Sequence, residues 1–177
     1  PRDVRILAVS KRQPVAAIRA AYEAGLREFG ENVIQEALPK IRELESLDIA
    51  WHFIGRIQSN KTRDIAENFH WVHTVDRLKI ANRLNDQRPH YSAPLNVCIQ
   101  VNQAGEVQKA GIEESSVAEL ARAITTLPRL RLRGLMTLPP ATTDPGSNAP
   151  LFARLSVLKA TLNEDGIPLD TLSMGMS

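Results

Sequence analysis

The stretch Ile6-Leu7-Ala8-Val9-Ser10-Lys11, followed by Pro14 and then by Ile18, Ala21, Tyr22 and Leu26, decides the fold. An unbroken apolar run that stops at a polar pair reads as a buried strand. Pro14 suits the first position of a helix, where its missing N–H costs nothing. Ile18, Ala21, Tyr22 and Leu26 recur at helical spacing, and Gly25 marks the end of that helix. Residues 27–29 resume an extended run and lead into Gly30-Glu31-Asn32. The opening of the chain therefore spells one strand-helix-strand unit.

The unit repeats. A second helix is expected over 33–47, with Pro39 inside it as a source of a kink. Strands are expected at 50–54, closed by Gly55, and at 71–75, with a helix over 60–68 between them. Asp76 reads as the N-cap of a helix carrying Leu78, Ile80, Ala81 and Leu84. A two-proline loop at 88–94 precedes a strand over 95–101. A helix over 116–127, a strand over 131–136, a helix over 151–163 and a strand over 169–173 follow. The segment 139–150 holds four prolines and a glycine and reads as a long loop. Strands alternating with helices imply a parallel sheet covered by helices. Both a doubly wound sheet and a TIM-type (β/α)8 barrel fit. Seven strands with no break in composition favour the barrel, as a single domain over 1–177. An eight-stranded barrel needs one further unit, so the expected barrel is cut short before its eighth strand.

The totals exclude several classes. The chain has 177 residues, enough for one domain with a sizeable core. Lys plus Arg is 22 and Asp plus Glu is 20, so the pI near 9.0 comes from a small cation excess and does not imply a nucleic-acid partner. Arg129, Arg131 and Arg133 alternate with leucines, which reads as a strand with one charged side. The single cysteine, Cys98, lies in an apolar run and reads as a buried thiol. No disulfide framework is possible within the chain, no signal peptide opens it, and no membrane span is expected. A reducing, cytoplasmic setting follows.

Barrels of this type place their chemistry at the C-terminal ends of the strands. Lys11 ends the first strand. Partial burial there would favour a neutral amine, the form that attacks an aldehyde to give an imine. On position alone, a solvated lysine in a strand-helix loop is the better fit. After the last strand, Ser173-Met174-Gly175-Met176-Ser177 offers small residues whose backbone and hydroxyls can approach a phosphate, or simply a tight turn. His52 lies within the third strand, as a hydrogen-bonded core residue or as a ligand contact. His70 and His73, three apart on a strand, face opposite ways and suit no shared metal. His90 falls in a loop. No glycine-rich phosphate loop or metal-spaced Cys/His set is present.

Five runs occur in one order: Leu7-Ala8-Val9-Ser10-Lys11; Phe29-Gly30-Glu31-Asn32 with Gln35-Glu36; Trp51-His52-Phe53-Ile54-Gly55 with Gln58-Ser59-Asn60-Lys61; Arg133-Gly134-Leu135-Met136; and Ser173-Met174-Gly175-Met176-Ser177. Together they closely resemble the pyridoxal phosphate homeostasis protein family, which is similar to the N-terminal barrel of alanine racemase. The resemblance covers essentially the whole chain. It implies that Lys11 carries pyridoxal 5′-phosphate as a Schiff base. It also implies that Asn32 and His52 line the cofactor pocket, that Met136 lies near the pyridine ring, and that Ser173 and Ser177 receive the phosphate. It implies further a cytoplasmic monomer that buffers the cofactor or delivers it to apo-enzymes. The family pattern departs from this chain at both ends. It has a helix before the first strand. Beyond Ser177 it continues into a helix, an eighth strand and a final helix, with an arginine facing the pyridine nitrogen and a glycine-threonine turn at the phosphate.

A pyridoxal-phosphate-dependent racemase is the alternative. The cofactor supplies the electron sink, but the protein must place bases on both faces of the substrate. Alanine racemase takes a tyrosine for this from a second domain. Here the tyrosines are Tyr22, on the first predicted helix, and Tyr91, in the proline-bracketed loop. A binding protein without catalytic activity is therefore the expectation. A class I aldolase-like enzyme lacks a carboxylate partner near Lys11.

Overall fold

A computed structural model describes residues 4–103, 110–139 and 146–175. Strands and helices alternate through them as the sequence predicts. The strands are β1 (Ala8–Val9), β2 (Glu28–Glu31), β3 (Ala50–Phe53), β4 (Trp71–Val75), β5 (Leu95–Gln100), β6 (Leu130–Thr137) and β7 (Thr171–Met174). The helices are α1 (Val15–Glu23), α2 (Ile34–Glu43), α3 (Thr62–Asn68), α4 (Leu78–Gln87), α5 (Glu114–Thr125) and α6 (Ala149–Glu164). A short 3-10 turn, Ser59–Lys61, leads into α3.

All seven strands form one parallel sheet in sequence order, β1-β2-β3-β4-β5-β6-β7. The sheet is strongly curled. Flat, it would hold β4 and β7 about 14 Å apart, three strand spacings. Yet the His73 ring on β4 reaches the Ser173 hydroxyl on β7 at 2.6 Å. That span is possible only across the hollow of a half-barrel. β1 and β7 do not pair with each other, so the half-barrel is open along that seam among the described residues.

The hydrophobic core lies between the convex side of the sheet and the helices. Phe29, Trp51, Val72, Val97, Ile99 and Leu135 on the strands meet Ile18, Ala37, Ile65, Ile80, Leu84 and Ile124 on the helices, all buried. Gly25, at φ +103°, lets the chain reverse after α1, a conformation that β-carbons disfavour.

Two expectations are corrected. The N-cap of α4 is Arg77, and Asp76 instead accepts a hydrogen bond from the Arg77 guanidinium at 2.6 Å. That ion pair occupies the carboxylate that would otherwise cap the helix. α2 stops at Glu43, and residues 44–47 close as turns, with the Leu47 N–H bonding the Leu44 carbonyl. Pro39 does lie within α2. Cys98 is buried and unpaired, and burial pushes its thiol up to about 12. Of the long loop expected at 139–150, residues 140–145 lie outside the described residues.

Candidate functional site

Side chains alternate between the two faces of a strand. Gly30 and His52 are register partners, as are Val9 and Gly30. A β-carbon built on Gly30 would sit 3.2 Å from Leu7 Cδ2 and 3.1 Å from Ile54 Cδ1. Leu7, Val9, His52 and Ile54 therefore share the concave face. The ladder continues one residue past β1, where the Ser10 N–H donates to the Gly30 carbonyl at 2.9 Å. Ser10 turns to the convex side, and Lys11 follows in the turn at the C-terminal end of the strand, which the Gln13 N–H closes on the Ser10 carbonyl at 3.0 Å.

Lys11 is exposed, where the sequence leads one to expect partial burial. The reason is its edge position: β1 pairs with β2 alone, and nothing among the described residues covers the turn from the other side. Arg12, the next residue, has φ +60°, the left-handed region that non-glycine residues seldom adopt.

The middle of the hollow is filled by a chain of polar groups. His52 Nδ1 lies 2.8 Å from His73 Nε2, and His73 Nδ1 lies 2.6 Å from Ser173 Oγ. Burial holds the His52 ring down at about 3, reinforced by the neighbouring His73, His70 and Arg5 charges. Burial alone holds His73 at about 4. Both rings are therefore neutral at ordinary pH, with one N–H each. His52 Nε2 is buried without a partner among the described residues. An orphaned buried N–H is costlier than a bare nitrogen lone pair. The favoured arrangement leaves Nε2 bare, so His52 Nδ1 donates to His73 and His73 Nδ1 donates to Ser173. The Ser173 hydroxyl then keeps its own proton for an outside acceptor.

Below this chain lies a floor. Trp71 stacks on His52, rings 6° from parallel with centroids 5.4 Å apart, and the Arg133 guanidinium sits 4.7 Å from the Trp71 ring centroid. Arg133 bonds Asn96 Oδ1 at 3.0 Å and grips Asp170 through Nε and Nη2, with the shortest contact at 2.7 Å. This hydrogen-bonded guanidinium holds the Asp170 carboxyl below the usual range.

The predicted site residues gather in part. Met136 is buried on β6 as the register partner of Ser173. His52 and Ser173 are joined through His73. Asn32 follows β2, half-buried, with no side-chain hydrogen bond among the described residues. Its backbone is pinned at the rim, because a β-carbon on Gly55 would sit 2.0 Å from the Asn32 carbonyl oxygen. Ser177 lies outside the described residues. Local spacing sets His73 against His70 alone and carries no trace of its link to Ser173. The usable signal was its two-residue offset from Trp71, which puts both on one face. Local spacing is equally silent on the convex-side group Ser10, Glu31 and Lys40. There, Lys40 Nζ donates to the Ser10 carbonyl and to Glu31 Oε1, each at 2.8 Å. No cluster of three or more His, Cys, Asp or Glu side chains suited to a metal exists among the described residues.

The sequence matches the family described as the alanine racemase N-terminal domain over residues 1–177. It is 57% identical to the pyridoxal phosphate homeostasis protein of Pseudomonas aeruginosa over 177 residues, covering 100% of this chain and 76% of that protein. To the protein of the same name from Escherichia coli it is 48% identical over 180 residues, covering 100% and 77%. Among solved structures, PipY of Synechococcus elongatus with pyridoxal phosphate bound superposes with a TM-score of 0.90 at 38% identity, covering 100% of this chain and 84% of PipY. An alanine racemase of Clostridium difficile shares the fold, at TM-score 0.77 and 15% identity over 99% of this chain and 47% of that one. On the strength of these matches, the chain belongs to the pyridoxal phosphate homeostasis protein family.

Proposed function

We propose that this chain binds pyridoxal 5′-phosphate as a Schiff base on Lys11 and holds the cofactor for intracellular homeostasis, passing it to apo-enzymes rather than using it in catalysis. The observation that carries the reading is the placement of three different groups on one rim. An amine follows β1, a thioether lies near the end of β6, and a hydroxyl near the end of β7, all at the C-terminal end of one curled sheet. The donor set fits the cofactor. When bound, pyridoxal phosphate supplies an aldehyde, a flat electron-withdrawing ring and a phosphate dianion. Lys11 offers the amine for the first, and Met136 an apolar surface for the second. Ser173, with its proton freed by His73, offers a donor for the third. Asn32 and His52 line the hollow between them. Ser177 is proposed to complete the phosphate side, and residues 1–177 to form one cofactor-binding domain. The relatives' names and the cofactor in the PipY structure support the same reading.

A non-catalytic role is supported by where the tyrosines lie. Tyr22 is on α1, its ring 3.8 Å beneath the Arg27 guanidinium, and Tyr91 is 82% exposed in a loop. Neither reaches the hollow to act as a second base. The unpaired Cys98 is compatible with a reducing cytoplasm, and no helix among the described residues is long and apolar enough to cross a membrane.

The test is to load the chain with pyridoxal phosphate, reduce with borohydride and map the added mass, then to assay alanine racemisation. Label on Lys11 without turnover is the expected result. Label confined to another lysine overturns the site. Turnover abolished by Lys11→Ala overturns the non-catalytic role.

A further inference from the structure

The convex side of β1 and β2 holds a group with no part in the hollow. Glu31 is fully buried and Lys40 is 9% exposed, beneath α2. The ammonium of Lys40 bonds Glu31 Oε1 and the Ser10 carbonyl, and the Ser10 hydroxyl donates to the same Glu31 oxygen at 2.6 Å. Ser10 is thus gripped through both its backbone and its side chain. On the other side of Lys11, the Arg12 N–H donates to Glu36 Oε2 on α2 at 3.3 Å, and the Gln13 N–H bonds the Ser10 carbonyl at 3.0 Å. Lys11 is bracketed on both sides by groups on β2 and α2.

A buried ion pair seldom stabilises a fold better than apolar residues of the same size, though it can fix one geometry. A non-glycine residue at positive φ persists only where its surroundings over-determine it. Both features meet at the turn that carries Lys11. We propose that Glu31, Lys40 and Glu36 are positioning residues: they lock the Ser10–Arg12 turn so that the Lys11 amine is presented at a fixed height on the rim. The proposal rests on the Schiff-base reading above. Glu31 and Lys40 lie across the sheet from the hollow, so they act through the backbone and not by touching the cofactor.

The test compares the wild-type 177-residue chain with the double variant Glu31→Leu/Lys40→Met. This variant removes both buried charges and strands neither. A second variant, Glu36→Ala, removes only an exposed side chain and with it the acceptor of the Arg12 N–H. Each is exposed briefly to pyridoxal phosphate, reduced with borohydride, and read as the ratio of label at Lys11 to label at the exposed Lys79 of α4. The ratio is expected to fall about tenfold in the double variant, the scale of loss from a misplaced reacting group. It is expected to fall about threefold in Glu36→Ala, the scale of one hydrogen bond. A purely structural role would leave the ratio unmoved in folded protein, and an unmoved ratio overturns the proposal. If the double variant loses its circular dichroism signature, Glu36→Ala alone decides on the same criterion. Absence of Lys11 label in the wild type is a separate failure, and it sinks the Schiff-base reading itself.

Discussion

His73 couples two strands that are not neighbours, with its ring held uncharged by burial. In the unfolded chain both His52 and His73 take up a proton as the pH falls through about 6.5. In the folded protein they resist until about 3 and about 4. Between those limits the unfolded state binds more protons, so stability drops as the pH is lowered and is regained as it rises. Between about pH 7 and about pH 5 the loss should be about 2 kcal/mol per ring. Urea midpoints at the two pH values measure it. His73→Gln should show a smaller drop than wild type, and an unchanged drop would remove His73 from this role. Part of this was legible: His52, Met136 and Ser173 each stand out by their position on a strand. Their connection was not, because it runs through a histidine that local spacing had set aside. The exposure of Lys11 was also beyond local reading, since burial at a rim depends on what pairs with the edge strand.

Elements show the same division. Short apolar runs located all seven strands within a few residues, because a strand buried on both faces has little other way to be written. The pairing of Glu31 with Lys40 left no such trace. It joins the end of a strand to the second turn of a helix, and only the packing angle of α2 makes it a contact. Asp76 misled because capping was read from residue type, while a neighbouring arginine claimed the carboxylate. At the junction of β2 and β3, Gly55 admits the Asn32 backbone. Gly55→Ala has no flexible atom to push aside, so it should cost about 1–3 kcal/mol as overpacking. It should also move Asn32 off the rim. Thermal unfolding checks the first effect and cofactor loading the second, and a melt identical to wild type would contradict the contact.

At the scale of the sheet as a whole, two margins are unpaired among the described residues. There β1 and β7 each pair on one side only, and Ile6, Val9 and Met174 stand exposed beside them. Such edges template contacts between chains. The 177-residue chain should therefore associate as its concentration rises, seen as a shift in sedimentation velocity, and Ile6→Lys should weaken the shift. Indifference to that charge would place the contact elsewhere. The interior offers a gentler handle. Trp51 faces the helices against Phe29, whereas Trp71 lies flat on His52 inside the curl. The second indole is thus an optical gauge wired to the hollow. Any chromophore absorbing in the near ultraviolet that settles there should dim the emission of Trp71 by energy transfer, letting the protein announce its own occupancy without a label.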